Sequence, residues 1–294
     1  MSPPRTASMY LYKQIALGEN DFAQRVSWNP QADDKGCFVS WAGHGGFLHV
    51  VNLSYAPKIK PEESLGQPAG PISLSNQQNI THHVHDVIDL SWNGRYEALV
   101  VGDADGRLCV YKRRDKGKWT QMMYTDRESG APDASVLSCR YTRDGERIGI
   151  LYDNGDVLVG KGESSSRILS MQLPEDEGKP LCLRWTGNGK RFLIAYEHSV
   201  CLYRLDEQRS LYHAFDAHIN IVDVDVSPHV YDRETISILT HDTSDGSYGL
   251  TLIKRGGASH PTETTSMSIP CTASAVAWSP DGTLLAVCGT VGDK

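Results

Sequence analysis

Three histidines within four residues, His82, His83 and His85, stand beside Asp86, the kind of grouping that a metal centre or a general base requires. In an extended segment side chains alternate, so His83 and His85 share one face. A tetrahedral metal site needs a second set of ligands at fixed spacing. The seven cysteines, at 37, 109, 139, 182, 201, 271 and 288, form no Cys-x-x-Cys pair that would supply one. The cluster therefore reads as a hydrogen-bonded loop, and His44 and His241-Asp242 as turn residues. Gly43-His44-Gly45-Gly46 lacks the spacing and the following helix of a dinucleotide cradle, and Gly160-Lys161-Gly162-Glu163 lacks the Ser or Thr of a phosphate loop. Acidic groups such as Glu175-Asp176-Glu177 and Asp242 with Asp245 sit in polar turns, where solvation is the default. No serine has the strand-turn-helix context of a nucleophile elbow. The residues show no convergent acid, base and metal set, so the expectation is a non-enzymatic protein with no cofactor and no small-molecule substrate.

The segments that carry these residues repeat. The pattern is an apolar strand ending in an aromatic, a polar turn, a second apolar run, an Asp- or Gly-bearing turn and a third strand. It is fullest in Val87-Ile88-Asp89-Leu90-Ser91-Trp92, Asn93-Gly94, Glu97-Ala98-Leu99-Val100-Val101, Asp103-Ala104-Asp105-Gly106 and Arg107-Leu108-Cys109-Val110-Tyr111. The marker position falls at 28, 92, 141, 185, 226 and 278, where only Val226 is not aromatic, in steps of 64, 49, 44, 41 and 52 residues. A four-stranded propeller blade takes roughly 40–45 residues, and long loops account for the excess. The expected architecture is an all-β propeller of seven blades. About six are represented over residues 17–294, incomplete at the carboxyl end, with an insertion loop at 56–80 and an amino-terminal strand within 1–16 that closes the ring.

The 294 residues are 39% hydrophobic and 22% charged, enough apolar material for a large core. A net charge of -7 gives no footprint for nucleic acid. The opening residues have no apolar core of signal-peptide length, and no run approaches the roughly 20 apolar residues that span a bilayer. Scattered, unpaired cysteines inside apolar runs suit a reducing compartment.

The repeat resembles the WD-repeat family. His83 lies nine residues before Trp92, where that family keeps a histidine that bonds the turn aspartate. Asp105-Gly106 occupies the matching turn, and Tyr111 stands where the family has its final tryptophan. No copy contains the literal Trp-Asp pair. Further features, Met9-Tyr10-Leu11-Tyr12-Lys13-Gln14-Ile15, Ile88-Asp89-Leu90-Ser91-Trp92-Asn93, Lys118-Trp119 and Tyr152-Asp153-Asn154-Gly155-Asp156-Val157-Leu158-Val159-Gly160, are similar to the amino-terminal propellers of intraflagellar transport complex A subunits.

That resemblance implies a protein-interaction scaffold in the cytoplasm, in the cilium or flagellum and at its base. Its partners would be other complex A subunits and membrane cargo, and its work cilium assembly and retrograde transport. The tubby-like proteins carry a similar propeller, which implies the alternative of a substrate adaptor for ubiquitin ligation. Binding residues concentrate on loops held by a rigid scaffold. The contact candidates are accordingly His82 and His85 in the histidine segment and Arg113, Arg114 and Lys116 in the basic hairpin 112–118. That hairpin suits an acidic partner loop or an anionic membrane.

Overall fold

The structure is a computed structural model that describes residues 25–28, 36–42, 47–54, 73–81, 85–93, 95, 97–113, 118–125, 133–162, 167–206, 209–228, 235–254, 263–279 and 282–290. Among the described residues the elements are strands, with one 3₁₀ turn at Glu175–Glu177. The first sheet comprises β1 (Arg25–Trp28), β2 (Gly36–Ala42), β3 (Phe47–Ser54) and β4 (Ser73–Thr81). The second comprises β5 (Val87–Trp92), β6 (Ala98–Asp103), β7 (Leu108–Arg113) and β8 (Trp119–Thr125). The third comprises β9 (Val136–Tyr141), β10 (Arg147–Tyr152), β11 (Asp156–Lys161) and β12 (Arg167–Gln172). The fourth comprises β13 (Pro180–Trp185), β14 (Arg191–Tyr196), β15 (Ser199–Arg204) and β16 (Arg209–Ala214). The fifth comprises β17 (Ile219–Val226), β18 (Thr235–Asp242), β19 (Tyr248–Lys254) and β20 (Glu263–Ile269), and the described part of the sixth is β21 (Thr272–Trp278) with β22 (Leu285–Thr290). Each sheet is an antiparallel meander in chain order.

These are the blades of a β-propeller. The apolar clusters lie between successive sheets: Val100, Leu108 and Val110 of the second pack with Val136, Ile148 and Ile150 of the third. Leu151, Val157 and Val159 of the third pack with Leu183, Trp185, Phe192 and Ile194 of the fourth. Second strands such as β6 and β10 are buried on both faces, which is why they read as continuous apolar runs. Among the outer strands, β16 and β20 are exposed along most of their length.

Successive inner strands run in step. Cys139 and Tyr141 bond to side chains of Asp89 and Ser91, Trp185 to the Arg140 carbonyl, and Val276 and Trp278 to Asp223 and Asp225. Rising residue numbers meet rising residue numbers, so all inner strands point the same way and the disc has two distinct rims. We call the rim where inner strands begin the entry rim, and the opposite one the exit rim.

Two expectations need correction or placing. Residues 73–80, read from sequence as part of an insertion loop, belong to β4, which pairs with β3 from Phe47↔Thr81 to Ser54↔Ser73. Its polar sequence, Ser-Leu-Ser-Asn-Gln-Gln-Asn-Ile-Thr, gives little apolar alternation to mark a strand. Residues 56–72 and the expected ring-closing strand within 1–16 lie outside the described residues.

Candidate protein-interaction site

The aromatic marker has a physical basis. The Trp92 indole donates to the Ser27 carbonyl of the preceding blade at 3.2 Å, and the Trp185 indole donates to the Arg140 carbonyl at 2.9 Å. Each therefore ties the exit end of one inner strand to its neighbour. Trp185 also packs on Phe192, which stacks on Tyr203.

Alternate residues of the inner strands face a central cavity of about 820 Å³, lined among others by Ser91, Arg140, Arg184, Asp225 and Ala277 at one level and Asp89, Ser138, Cys182, Asp223 and Ala275 at the next. In the channel Arg140 and Arg184 converge with Asp89, Asp223 and Asp225 as ion pairs. Buried Asp89 pairs with Arg140 and accepts the Cys139 amide N–H at 2.9 Å. Arg184 donates to Asp223 at 3.0 Å and lies 3.9 Å from Asp225. Burial pushes the Asp225 carboxyl up, against the pull of Arg184 and of the Trp278 amide. Burial also opposes the charge on Arg184, but the acidic groups around it outweigh that and hold it protonated.

These partnerships stitch blade to blade, a structural use of charge. Among the described residues no group of three or more His, Cys, Asp or Glu could hold a metal. Three thiols are inert by position: burial pushes Cys109 up to about 12 and raises Cys139 and Cys182.

The sequence-derived candidates fall in different places. Tyr111 is fully buried in the core between the first two blades. Asp105 sits in the β6–β7 turn on the entry rim, 3.2 Å from Arg107 and 3.7 Å from His85. The turn itself is organised by Asp103, whose carboxylate accepts the amides of Asp105 and Arg107. Sequence reasoning missed that residue, although an acid two and four residues before the amides it binds is the signal of such a turn. His85 is about half exposed. Arg113 forms a two-oxygen contact with Glu97 at 3.2 and 3.3 Å, at the exit rim. His82, His83, Arg114 and Lys116 lie outside the described residues.

The two rims differ in charge. The described entry rim carries Asp86, Asp103, Asp105, Asp133, Asp153, Asp156, Glu175, Asp176, Glu177, Glu197, Asp216, Asp242 and Asp245 against Arg107 and Lys179. The described exit rim carries Arg95, Lys112, Arg113, Lys118, Arg143, Arg147, Lys161, Arg167, Lys190, Arg191, Arg204 and Lys254 against Glu97, Asp144, Glu146, Asp206 and Glu263. Such an arrangement selects and orients charged partners.

Comparison with known proteins is consistent with this architecture. A family model described as WDR35/TULP4 N-terminal matches residues 8–294. WD repeat-containing protein 35 of Rattus norvegicus is 31% identical over 186 residues, 63% of this chain and 14% of the relative. The Homo sapiens protein of the same name is 31% identical over 151 residues, 51% of this chain and 12% of the relative. Tubby-related protein 4 of Homo sapiens is 27% identical over 172 residues, 58% of this chain and 9% of the relative. The chain thus aligns with only a small part of these relatives. A chain in a crystal structure titled as the mitotic checkpoint complex superposes with a TM-score of 0.56 at 14% identity, covering 97% of this chain and 96% of that one. At that identity the likeness concerns the fold alone.

Proposed function

This chain belongs to the WDR35/TULP4 N-terminal β-propeller family, and on that premise we propose that it is the amino-terminal propeller of an intraflagellar transport complex A subunit. It is a non-enzymatic interaction platform that works in cilium assembly and in retrograde and membrane-cargo transport, in the cytoplasm, at the ciliary or flagellar base and within the organelle. Its partners are other complex A subunits, with membrane cargo as a second class. The observation that carries this reading is the family match over residues 8–294, next to relatives named WD repeat-containing protein 35 at 31% identity. The site supports it physically, because the channel charges are spent on holding blades together while the rims offer broad, oppositely charged surfaces.

A second reading, a substrate adaptor for ubiquitin ligation, is favoured by the likeness to Tubby-related protein 4 at 27% identity. Affinity purification of the tagged full-length gene product from ciliated or flagellated cells, followed by mass spectrometry, separates the two. Recovery of other transport-complex subunits is the expected result. Recovery of ligase components without them would overturn the transport assignment in favour of the adaptor.

A further inference from the structure

The exit rim contains charge placements that work against the fold. In the third blade Arg147, the first residue of β10, stands directly opposite Lys161, the last of β11. In the fourth blade Arg191, the first residue of β14, stands directly opposite Arg204, the last of β15. Residues so paired have Cβ atoms about 4.5–5.5 Å apart, and like charges there are destabilising. The neighbouring blades differ at the same register: β6 places Ala98 opposite Lys112, and β18 places Thr235 opposite Lys254, which is in turn matched with Glu263 on β20.

Among the described residues, little relieves the two pairs. Arg147 reaches the Gly189 carbonyl at 3.4 Å and Arg204 reaches Asp206 at 3.1 Å. Lys161, Lys190 and Arg191 form no ion pair among the described residues. The contact of Arg147 with Gly189 brings the third blade's pair beside Lys190-Arg191, so the five cations form one row across two blades. Local conflicts of this kind, with no gain in packing, mark functional surfaces.

We propose that this row, Arg147, Lys161, Lys190, Arg191 and Arg204, is a docking surface for an acidic polypeptide segment of a partner protein. Charge complementarity fixes the sign of the partner, and the planar forks of the three arginines suit carboxylates. A discrete segment fits better than an anionic membrane, because Asp144, Glu146 and Asp206 share this edge and a continuous negative plane would meet them too. The proposal rests on the reading of the propeller as a binding platform but not on the transport complex. Peptide binding can fail while complex subunits are still recovered, and the reverse.

The test is fluorescence anisotropy of a fluorescein-labelled decaglutamate peptide titrated with the full 294-residue chain at about 50 mM salt, where screening is weak. The double variant Lys161→Glu/Arg191→Glu is expected to weaken binding at least about tenfold, and Lys254→Gln less than about twofold. Equal weakening by both would mean unspecific polyelectrolyte attraction and would overturn the proposal. So would absence of peptide binding by the parent chain, or binding to vesicles containing phosphatidylserine in preference to the peptide. The neutral variants Lys161→Gln and Arg191→Gln give a second readout: each should leave the melting temperature unchanged or raise it by about 1–3 °C. A fall instead would mean that the pairs serve the fold.

Discussion

Truncating Asp89 to alanine tests whether a carboxylate in the channel holds the second and third blades together. Asp89 is 3% exposed, accepts the buried Cys139 amide at 2.9 Å and pairs with Arg140. Its removal leaves that amide without a partner, at about 1–3 kcal/mol. It also strips Arg140 of its counter-ion. A broken buried pair costs about 3–5 kcal/mol, but Arg140 is 25% exposed and keeps the Leu90 and Cys139 carbonyls at 3.1 and 3.0 Å, so that range is an upper bound. The expected total is about 3 kcal/mol. At roughly 2–3 °C per kcal/mol for a large domain, Asp89→Ala should lower the melting temperature by about 6–9 °C.

Asp89→Asn keeps an oxygen for the Cys139 amide and loses only the charge, so it should cost about half as much, 1–2 kcal/mol. Thermal and denaturant unfolding followed by circular dichroism at pH 7 measures both. A cost below about 1 kcal/mol for the alanine variant would refute the inter-blade staple. An asparagine variant as damaging as the alanine one would assign the effect to the ion pair and remove the amide from the account.

Other expectations are independent of this one. Gly145 has φ +71° and a Cβ there would lie 1.9 Å from Asn93 Oδ1, whereas Gly246, at φ +74°, faces open space. Gly145→Ala should therefore cost more than Gly246→Ala, by roughly 1–2 kcal/mol beyond the shared backbone strain of about 1 kcal/mol, in the same unfolding assay. In the native chain at pH 8, Ellman's reagent should modify exposed Cys288 and leave Cys109 and Cys139 untouched until denaturant is added, because burial holds both thiols protonated. The Ser244 hydroxyl and amide hold the Asp242 carboxyl below its ordinary 3.8, so NMR should show it titrating below that value and Ser244→Ala should move it up. A group with a lowered folded pKa contributes stability above its unfolded pKa and loses it as pH falls through the folded one, so the Asp242 contribution should be full at neutral pH and fall away only in acid.

Inner and second strands were readable in the sequence because propeller physics writes them twice. A second strand buried on both faces must be continuously apolar, as Phe192-Leu193-Ile194-Ala195-Tyr196 is, and the inner strands β5 and β13 end in tryptophans whose indoles reach the preceding blade. The fourth strands carry no such mark. Arg209-Ser210-Leu211-Tyr212-His213-Ala214 and Glu263–Ile269 are exposed along most of their length, so burial imposes no alternation. The channel was hidden differently. Arg140 and Arg184 sit at polar positions of alternating strands, and period-2 patterning separates two faces without saying that one faces a shared axis where Asp89 and Asp223 wait on the next blades.

The charge of the rims has unequal causes at the two ends. On the entry rim many acids have turn duties: Asp103, Asp153, Asp242 and Asp245 accept backbone amides. Turn geometry needs an oxygen acceptor, not a charge, and asparagine supplies it in the same molecule, where Asn154 accepts the Asp156 amide and Asn188 the Lys190 amide. The negative charge of that rim is therefore permitted by the fold rather than required by it. On the exit rim the relation is stronger, since Arg147 opposite Lys161 and Arg191 opposite Arg204 cost the sheets stability. Packing determines what makes this chain a propeller. What it binds is written in the charges that packing does not need, and most of all in those it would be better without.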